Sequence, residues 1–261
     1  MELNLRGKKV LVTGASKGIG EAVAYGFAAE GADVILAARD GAKMAQIERE
    51  IRGRHQVNVK VVPTDLRDGA ALRALADAAG DIDILVNNAG DIPGGTLDKV
   101  DEATWRHAWE LKVFGYINLC RLIMPKLLAR KSGVIVNVIG TGGERLTHNY
   151  IAGSTGNASL MAFTRALGSA SLIENVRVVG LNPGAVLTDR VTGMFRSVAR
   201  DRWGDESRFQ ELLDAQPANS MSMPEDIADM VVFLASDRAR RVSGTIVTVD
   251  GGMANYHGLA S

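Results

Sequence analysis

A glycine-rich turn near the N-terminus most constrains the fold of this chain. An apolar run, Val10 to Val12, leads into Thr13-Gly14-Ala15-Ser16-Lys17-Gly18-Ile19-Gly20, and apolar residues continue beyond it at helical spacing. This pattern predicts a strand, a tight turn and the start of a helix. Glycine lets a backbone approach a phosphate closely, and the N–H groups of a helix N-terminus attract the anion. The turn therefore predicts dinucleotide binding, with an ordinary strand-to-helix turn as the alternative.

The rest of the chain alternates apolar runs with amphipathic segments. After the first unit, strands are predicted at 34–37, 57–62, 82–86, 134–138, 176–179 and 245–249, and helices at about 41–51, 70–79, 101–128 and 157–173. Such alternation is typical of a parallel sheet covered on both faces. We therefore expect an α/β fold, a doubly wound and mostly parallel seven-stranded sheet, in a single domain spanning residues 1–261.

Only the segment from about 188 to 223 breaks this alternation. It is charged, contains Met194, Phe195 and Trp203, and shows no clean strand. Segments of this kind often close over a substrate. We expect a substrate lid here, and a helical surface insertion without a role in binding is the alternative.

Composition limits the classes of partner. The 30 lysines and arginines balance the 30 aspartates and glutamates, so no overall charge recruits nucleic acid or a membrane surface. The single cysteine, Cys120, makes no internal disulfide and is expected to pack in a helix, and no metal-ligand spacing is present. No apolar run approaches the length of a membrane span. We expect a cytoplasmic protein with a small-molecule substrate.

Further motifs in order identify a family resemblance. The first turn is spaced G-x-x-x-G-x-G, and the chain also contains Asn87-Asn88-Ala89-Gly90, Pro183-Gly184 with Thr188, and Asp250-Gly251-Gly252 after its last strand. In these features it resembles the short-chain dehydrogenase/reductase family over nearly its whole length. The resemblance implies a Rossmann fold, a nicotinamide cofactor and a homo-oligomer, either tetramer or dimer. Phe114, Ile117 and residues 256–259 are candidate contact surfaces for that assembly.

The resemblance also implies which residues contact the cofactor. They belong to the turns that follow the strands: Gly14, Ser16, Lys17, Gly18, Ile19, Gly20, Arg39, Asp65, Leu66, Asn88, Ala89, Gly90, Asn157, Pro183, Gly184 and Thr188.

Charge at the end of the second strand predicts which cofactor is preferred. An acidic residue there binds the adenosine ribose of NAD and repels a 2′-phosphate. This chain has Ala38 followed by Arg39, and Lys17 lies in the glycine turn. Because cations bind phosphate, we expect NADP(H) to be preferred over NAD(H). Asp40 partly offsets this charge, and two solvated surface cations are the alternative.

The family's four usual catalytic positions all carry other residues. Alignment by the flanking motifs places Gly153 at the tyrosine position, Asn157 at the lysine position and Lys112 at the asparagine position. Gly140 stands at the serine position, with Thr141 beside it. The usual acid/base pair is therefore absent from its usual place.

Two features indicate relocation of these groups. In the family fold the side chains of Lys112 and Asn157 should lie close together near the ribose. We therefore interpret Lys112 as carrying the positive charge that the family has at the position of Asn157. The alternative is that Lys112 is an exposed helix lysine. Tyr150 lies seven residues before Asn157, a spacing that resembles the enoyl-thioester reductases of the same superfamily. Tyr150 is thus a candidate to donate a hydrogen bond to a substrate carbonyl, or else it packs in its loop.

Two hypotheses about function follow. The first is an NADP(H)-dependent oxidoreductase acting on a small carbonyl, alcohol or enone, with Lys112, Tyr150, Asn157 and Thr141 as catalytic candidates. The second is an inactive NADP(H)-binding protein or redox sensor. Other candidates for substrate contact are His148, Glu144 and Arg145 and, near the lid, Arg190, Arg196, Arg200, Arg202 and Arg208.

Overall fold

The predicted strand, turn and helix at the N-terminus are present in the computed structural model, which describes residues 2–216 and 221–255. Strand β1 (Lys9–Thr13) leads through the glycine turn into helix α1 (Gly18–Ala29). The first half of the chain continues with β2 (Asp33–Ala38), α2 (Gly41–Arg54), β3 (Val59–Pro63), α3 (Gly69–Ala79) and β4 (Ile84–Asn87).

The second half builds the rest of the sheet and the region beyond its edge. It contains α4 (Glu102–Trp109), a π-helical turn (Glu110–Phe114), α5 (Gly115–Arg130), β5 (Gly133–Val138), α6 (Ile151–Ser171) and β6 (Val176–Pro183). It continues with β7 (Ala185–Val186), α7 (Asp189–Trp203), α8 (Phe209–Asp214), β8 (Met221–Ser222), α9 (Pro224–Ala235) and β9 (Ile246–Val249).

Seven strands form one sheet in the order β3-β2-β1-β4-β5-β6-β9, and every neighbouring pair is parallel. This arrangement confirms the predicted α/β class with a doubly wound sheet. The chain winds outward in one direction from β1 and in the other from β4. Ligands of such sheets bind beyond the carboxyl ends of the strands at this switch point.

Helices cover both faces of the sheet, which explains why its strands read as apolar runs. Val10 and Val12 pack with α1, α2 and α9, whereas Leu11 packs with α3 and α5 on the opposite face. Cys120 is buried in the second of these cores, as expected.

Several details differ from the sequence prediction, among them the starts of β3 and α6 and an additional strand. Strand β3 begins at Val59 rather than Val57, because the Asn58 amide donates to the Asp33 carboxylate. Helix α6 begins at Ile151 rather than Asn157; Gly153 and Gly156 weaken its intrinsic propensity, but its first turns are buried by tertiary packing. The segment from 188 to 223 was expected to lack a strand, yet β8 pairs with β7.

Within residues 2–216 and 221–255, no helix combines the length and apolar character that crossing a membrane requires. The residues at 256–259, predicted as a contact surface, and residues 217–220 of the predicted lid lie outside the described part of the chain.

Candidate functional site

The glycine turn presents an open helix N-terminus at the sheet edge. Gly14 and Gly18 have φ of 67° and 58°, the left-handed region that favours glycine. A side chain at Gly20 would overlap the Gly14 carbonyl oxygen, so the turn requires glycine there too. Lys17 precedes α1 in an extended conformation and makes no side-chain cap. The first N–H groups of α1 are therefore available to an anion.

The loop after β4 is fastened to the end of β1. The backbone N–H groups of Asn88 and Ala89 donate to Thr13 Oγ1 at 2.9 and 3.2 Å, and Asn88 Nδ2 donates to the Thr13 carbonyl at 3.0 Å. These bonds hold the loop that starts at Asn88 against the glycine turn. The next residue, Gly90, lies against the aliphatic chain of Lys112, since a Cβ there would be 2.8 Å from Lys112 Cδ.

Near the ends of β2 and β3 lie two arginines, Arg67, which is paired with a carboxylate, and Arg39, which is exposed. Asp65 makes a bidentate ion pair with Arg67, whose Nη2 lies 2.6 Å from Oδ2, and this pair holds the pKa of Asp65 below its usual range. Arg39 lies close enough to lower that pKa further and is itself exposed. Leu66 is buried beneath Gly115.

Two further exposed charged groups, Lys17 and Asp40, contribute to the charge near Arg39. Lys17 is exposed on the glycine turn. Asp40, expected to offset the cations, accepts the Lys43 N–H at 2.9 Å as the N-cap of α2. Its carboxylate is therefore directed to the helix N-terminus.

The segment after β6 closes the other side of the glycine turn. Pro183 ends the strand, and the Gly184 N–H donates to the Val249 carbonyl at 2.9 Å. Thr188 caps α7, and its methyl group would lie 3.2 Å from a Cβ on Gly18. The fold thus brings Thr188 beside the glycine turn.

Lys112 is buried at the centre of the site, with 9% of its surface exposed, so the alternative of an exposed helix lysine is wrong. The π-helical turn changes the phase of the predicted long helix and directs Lys112 and Val113 inward. Lys112 Nζ donates to the Ile139 carbonyl at 2.6 Å. Burial lowers the pKa of its amine to about 7, and the nearby Arg190 adds to this effect.

Asn157 faces the same stretch of backbone as Lys112. A Cβ on Gly140 would lie 3.2 Å from Asn157 Nδ2, and Gly140 is the chain neighbour of Ile139. Asn157 is 3% exposed, and its Oδ1 has no hydrogen-bond partner among the described residues. A buried amide oxygen without a partner is uncommon in a folded protein and suits a ligand hydroxyl that donates to it.

The ring of Tyr150 lies directly against Gly153. A Cβ on Gly153 would overlap this ring, and a Cβ on Gly142 would lie 3.2 Å from it. The ring also packs against a small apolar cluster that contains Ile92 and Ala152. Burial raises the pKa of the Tyr150 hydroxyl, although the neighbouring Arg190 opposes that rise.

Arg190 lies at the start of α7, and the sequence did not distinguish it from the four other arginines named with it. Its Nη2 donates to the Ile92 carbonyl at 2.6 Å and its Nη1 to the Gly90 carbonyl at 3.4 Å. Its position two residues after Thr188, which belongs to a predicted cofactor motif, was the feature of the sequence that could have indicated a place in the site.

The other arginines of the segment from 188 to 223 make surface contacts within that segment. Arg200 pairs with Glu206 and Arg208 with Glu211, while Arg196 and Arg202 lie over Phe209 and Trp203. These contacts agree with the solvated face that arginines at helical spacing often form.

The loop after β5 contains four of the predicted site residues, and the structure places them differently. Thr141 stands half-buried beside Gly140, and its carbonyl accepts the N–H groups of Glu144 and Arg145. Glu144 accepts from Thr248 Oγ1 at 3.1 Å, and Arg145 donates to the Met253 carbonyl at 3.2 Å. Both charged side chains bind the C-terminal segment. His148 is exposed.

Two relatives match the chain almost end to end. The 7alpha-hydroxysteroid dehydrogenase of Escherichia coli K12 is 33% identical over 258 residues, covering 96% of this chain and 95% of that protein. The 3-oxoacyl-[acyl-carrier-protein] reductase of Vibrio cholerae is 32% identical over 255 residues, covering 96% and 99%.

A solved structure shows the same architecture. L-sorbose reductase from Gluconobacter frateurii, complexed with NADPH and L-sorbose, superposes with a TM-score of 0.91 at 31% identity, covering 98% of this chain and all of that chain. The short chain dehydrogenase family model matches residues 8–198, from β1 into helix α7. With the glycine turn, the sheet order and the relatives in agreement, the chain belongs to the short chain dehydrogenase family.

Proposed function

We propose that this protein is an NADP(H)-dependent oxidoreductase that transfers a hydride between the nicotinamide and a small carbonyl, alcohol or enone substrate. One observation carries the proposal: a Cβ on Gly153 would overlap the ring of Tyr150. A phenol ring therefore lies directly beside the position that the family resemblance assigns to the tyrosine. The NADPH complex of the similar L-sorbose reductase supports the reaction class.

Residues at the glycine turn fit a phosphorylated nicotinamide dinucleotide. The uncapped N-terminus of α1 suits the pyrophosphate, and exposed Lys17 and Arg39 suit a 2′-phosphate. The partnerless Oδ1 of Asn157 suits a ribose hydroxyl. When bound, the reduced nicotinamide supplies the hydride. We propose the remaining cofactor contacts at the positions predicted from the motifs.

Tyr150 holds the carbonyl oxygen of the substrate. Because burial raises its pKa above the ordinary value of 10, the hydroxyl keeps its proton at neutral pH and donates a hydrogen bond. That bond strengthens as negative charge develops on the oxygen during hydride transfer, which is how such a donor lowers the barrier. Thr141 is a second candidate donor in the adjoining loop.

Lys112 and Asn157 together perform the two functions of the family's lysine, which are to supply a positive charge and to orient the ribose. Lys112 Nζ, held by the Ile139 carbonyl, places a positive charge beneath the site. The Asn157 amide lies beside Gly140 and orients the ribose hydroxyls. With a pKa of about 7, Lys112 can also give up or take a proton near neutral pH.

The test combines cofactor binding with turnover. Energy transfer from tryptophan to bound NADPH, titrated beside NADH, measures binding; NADPH consumption is then followed on ketones, aldehydes, enones and enoyl thioesters. Tyr150→Phe is expected to lower kcat about 100-fold and leave NADPH binding unchanged. Tyr25→Phe, which removes a hydroxyl bonded to Glu50 on α2, is the matched control.

The outcomes separate the two hypotheses. Saturable NADPH binding with turnover that depends on Tyr150 supports the oxidoreductase. Binding without turnover on any substrate class supports the inactive sensor instead. Absence of NADPH binding contradicts both.

The same proposal includes the expected setting of the enzyme. We propose a cytoplasmic homo-oligomer with a small-molecule substrate and with α7 and α8 as its lid. The exposed Phe114 lies in an apolar surface groove with Leu97 and Trp105, which supports contact between copies.

A further inference from the structure

We propose that the substrate carries a carboxylate beside its reacting carbonyl, and that Arg190 binds this carboxylate while Tyr150 holds the carbonyl oxygen. The inference rests on the proposed oxidoreductase function and names its substrate class: small 2-oxo acids, or the corresponding 2-hydroxy acids in the reverse direction.

Two backbone carbonyls hold Arg190 in place. Its Nη2 donates to the Ile92 carbonyl at 2.6 Å and its Nη1 lies 3.4 Å from the Gly90 carbonyl. Both acceptors belong to the loop that leaves β4 at the carboxyl edge of the sheet. The guanidinium is therefore directed to the edge where ligands of this fold bind.

The guanidinium also lies beside the proposed donor to the substrate. Ile92, whose carbonyl accepts from Arg190, packs in the same apolar cluster as the Tyr150 ring. The Tyr150 hydroxyl is within interaction range of the Arg190 guanidinium. A carbonyl oxygen held by Tyr150 therefore brings a carboxylate on the adjacent carbon next to Arg190.

The charge around Arg190 favours an anionic group. A guanidinium has five N–H donors, and the two carbonyls leave part of its fork open. Among the described residues, the carboxylate within 4 Å is that of Asp91, 3.8 Å away on a side chain that is 73% exposed. An exposed pair of this kind binds weakly. Lys112, the second cation nearby, bonds a backbone carbonyl.

Arg190 differs from other arginines of this segment in the part of the chain that it contacts. Arg200 and Arg208 pair with glutamates of the same segment, and Arg196 stacks on Phe209. Arg190 instead donates to backbone carbonyls of the loop after β4. A substrate carboxylate would complete its bidentate hydrogen bonding.

The test compares 2-oxo acids with their methyl esters. Pyruvate, 2-oxobutanoate and phenylglyoxylate, each beside its ester, are reduced with NADPH by wild type, Arg190→Gln, Arg190→Lys and the control Arg49→Gln, an exposed arginine on α2. We expect Arg190→Gln to lower kcat/KM on the acids about 10- to 100-fold and on the esters less than about threefold. Arg190→Lys should recover part of the loss, and Arg49→Gln should change neither.

Calorimetric titration of phenylglyoxylate into the NADP⁺-loaded protein gives a readout without turnover. Binding that weakens about 10-fold or more in Arg190→Gln supports the carboxylate site, whether or not any substrate is reduced. Absence of reduction would overturn only the proposed oxidoreductase. Equal losses on acids and esters would overturn the carboxylate site and leave the oxidoreductase standing. Reduction of esters alone, or no binding of phenylglyoxylate by wild type, also overturns it.

Discussion

Glycine has opposite roles on the two sides of this site. On the cofactor side, a side chain at Gly20 would overlap the backbone oxygen of Gly14. On the substrate side, a side chain at Gly153 would overlap the ring of Tyr150. The first neighbour is fixed main chain, whereas the second is a side chain that can rotate. Glycine at position 20 is thus required by the fold, and glycine at position 153 makes room for another residue.

This difference matters for the proposed function. A dinucleotide at the glycine turn would bind through backbone N–H groups and close main-chain approach, which few residue types permit. The proposed reaction needs a hydroxyl and a positive charge at particular places, and more than one chain position can supply them. We propose that Tyr150 and Lys112 supply them here.

The largest effect is expected from Gly20→Ala. Its Cβ meets the Gly14 carbonyl, which cannot move without disrupting the turn, so we expect a loss of about 3 kcal/mol in unfolding free energy and no measurable NADPH binding. Urea unfolding and fluorescence titration measure both. Gly53→Ala, in an open position on α2, should instead be neutral or slightly stabilising. Full NADPH binding by Gly20→Ala would remove the contrast between the two glycines.

Gly153→Ala tests the other side of the comparison. The added methyl group displaces the Tyr150 ring, so we expect kcat to fall about 100-fold while the Kd for NADPH changes less than about threefold. Steady-state kinetics beside the same titration measure the two quantities. An unchanged kcat would show that the position of this ring has no part in the reaction.

Lys112→Met tests whether the site carries a buried charge. The pKa of the Lys112 amine is about 7 in the folded protein, against an ordinary value of 10.5. Between these two pH values the unfolded chain binds one more proton than the folded protein, so the unfolding free energy of the wild type rises with pH over that range. From pH 7 to pH 10 the unfolding free energy of the wild type should rise by roughly 3 to 4 kcal/mol relative to that of Lys112→Met, and below pH 7 the two curves should run parallel. Urea unfolding across pH 6–10 measures this. The exposed Lys99→Met should follow the wild type at every pH.

The smallest effect is expected from Arg39→Ala. Loss of one cation at a 2′-phosphate should weaken NADPH binding about 10-fold and leave NADH binding unchanged. Parallel titrations with the two cofactors measure the ratio. Arg49→Ala, also exposed but on α2, is the control. Equal weakening of both cofactors would place Arg39 away from the phosphate.

Much of the fold was predictable from local pattern alone. Apolar runs that alternate with helical segments specified the parallel sheet, because each such run must be buried on both faces. The helix boundaries were less predictable where tertiary packing overrides propensity, as at the start of α6. The weak helix formers Gly153 and Gly156 lie inside that helix because its first turns are buried.

By itself, the sequence determined the glycine turn and the family membership, since these depend on residue type and spacing, and it predicted other residues at the usual catalytic positions. Only the tertiary structure decided where the proposed catalytic groups lie. A π-helical turn directs Lys112 inward, Tyr150 fills the space before Gly153, and Arg190 reaches the loop after β4. Each placement depends on the packing of elements distant in the chain, and no local spacing specifies such contacts.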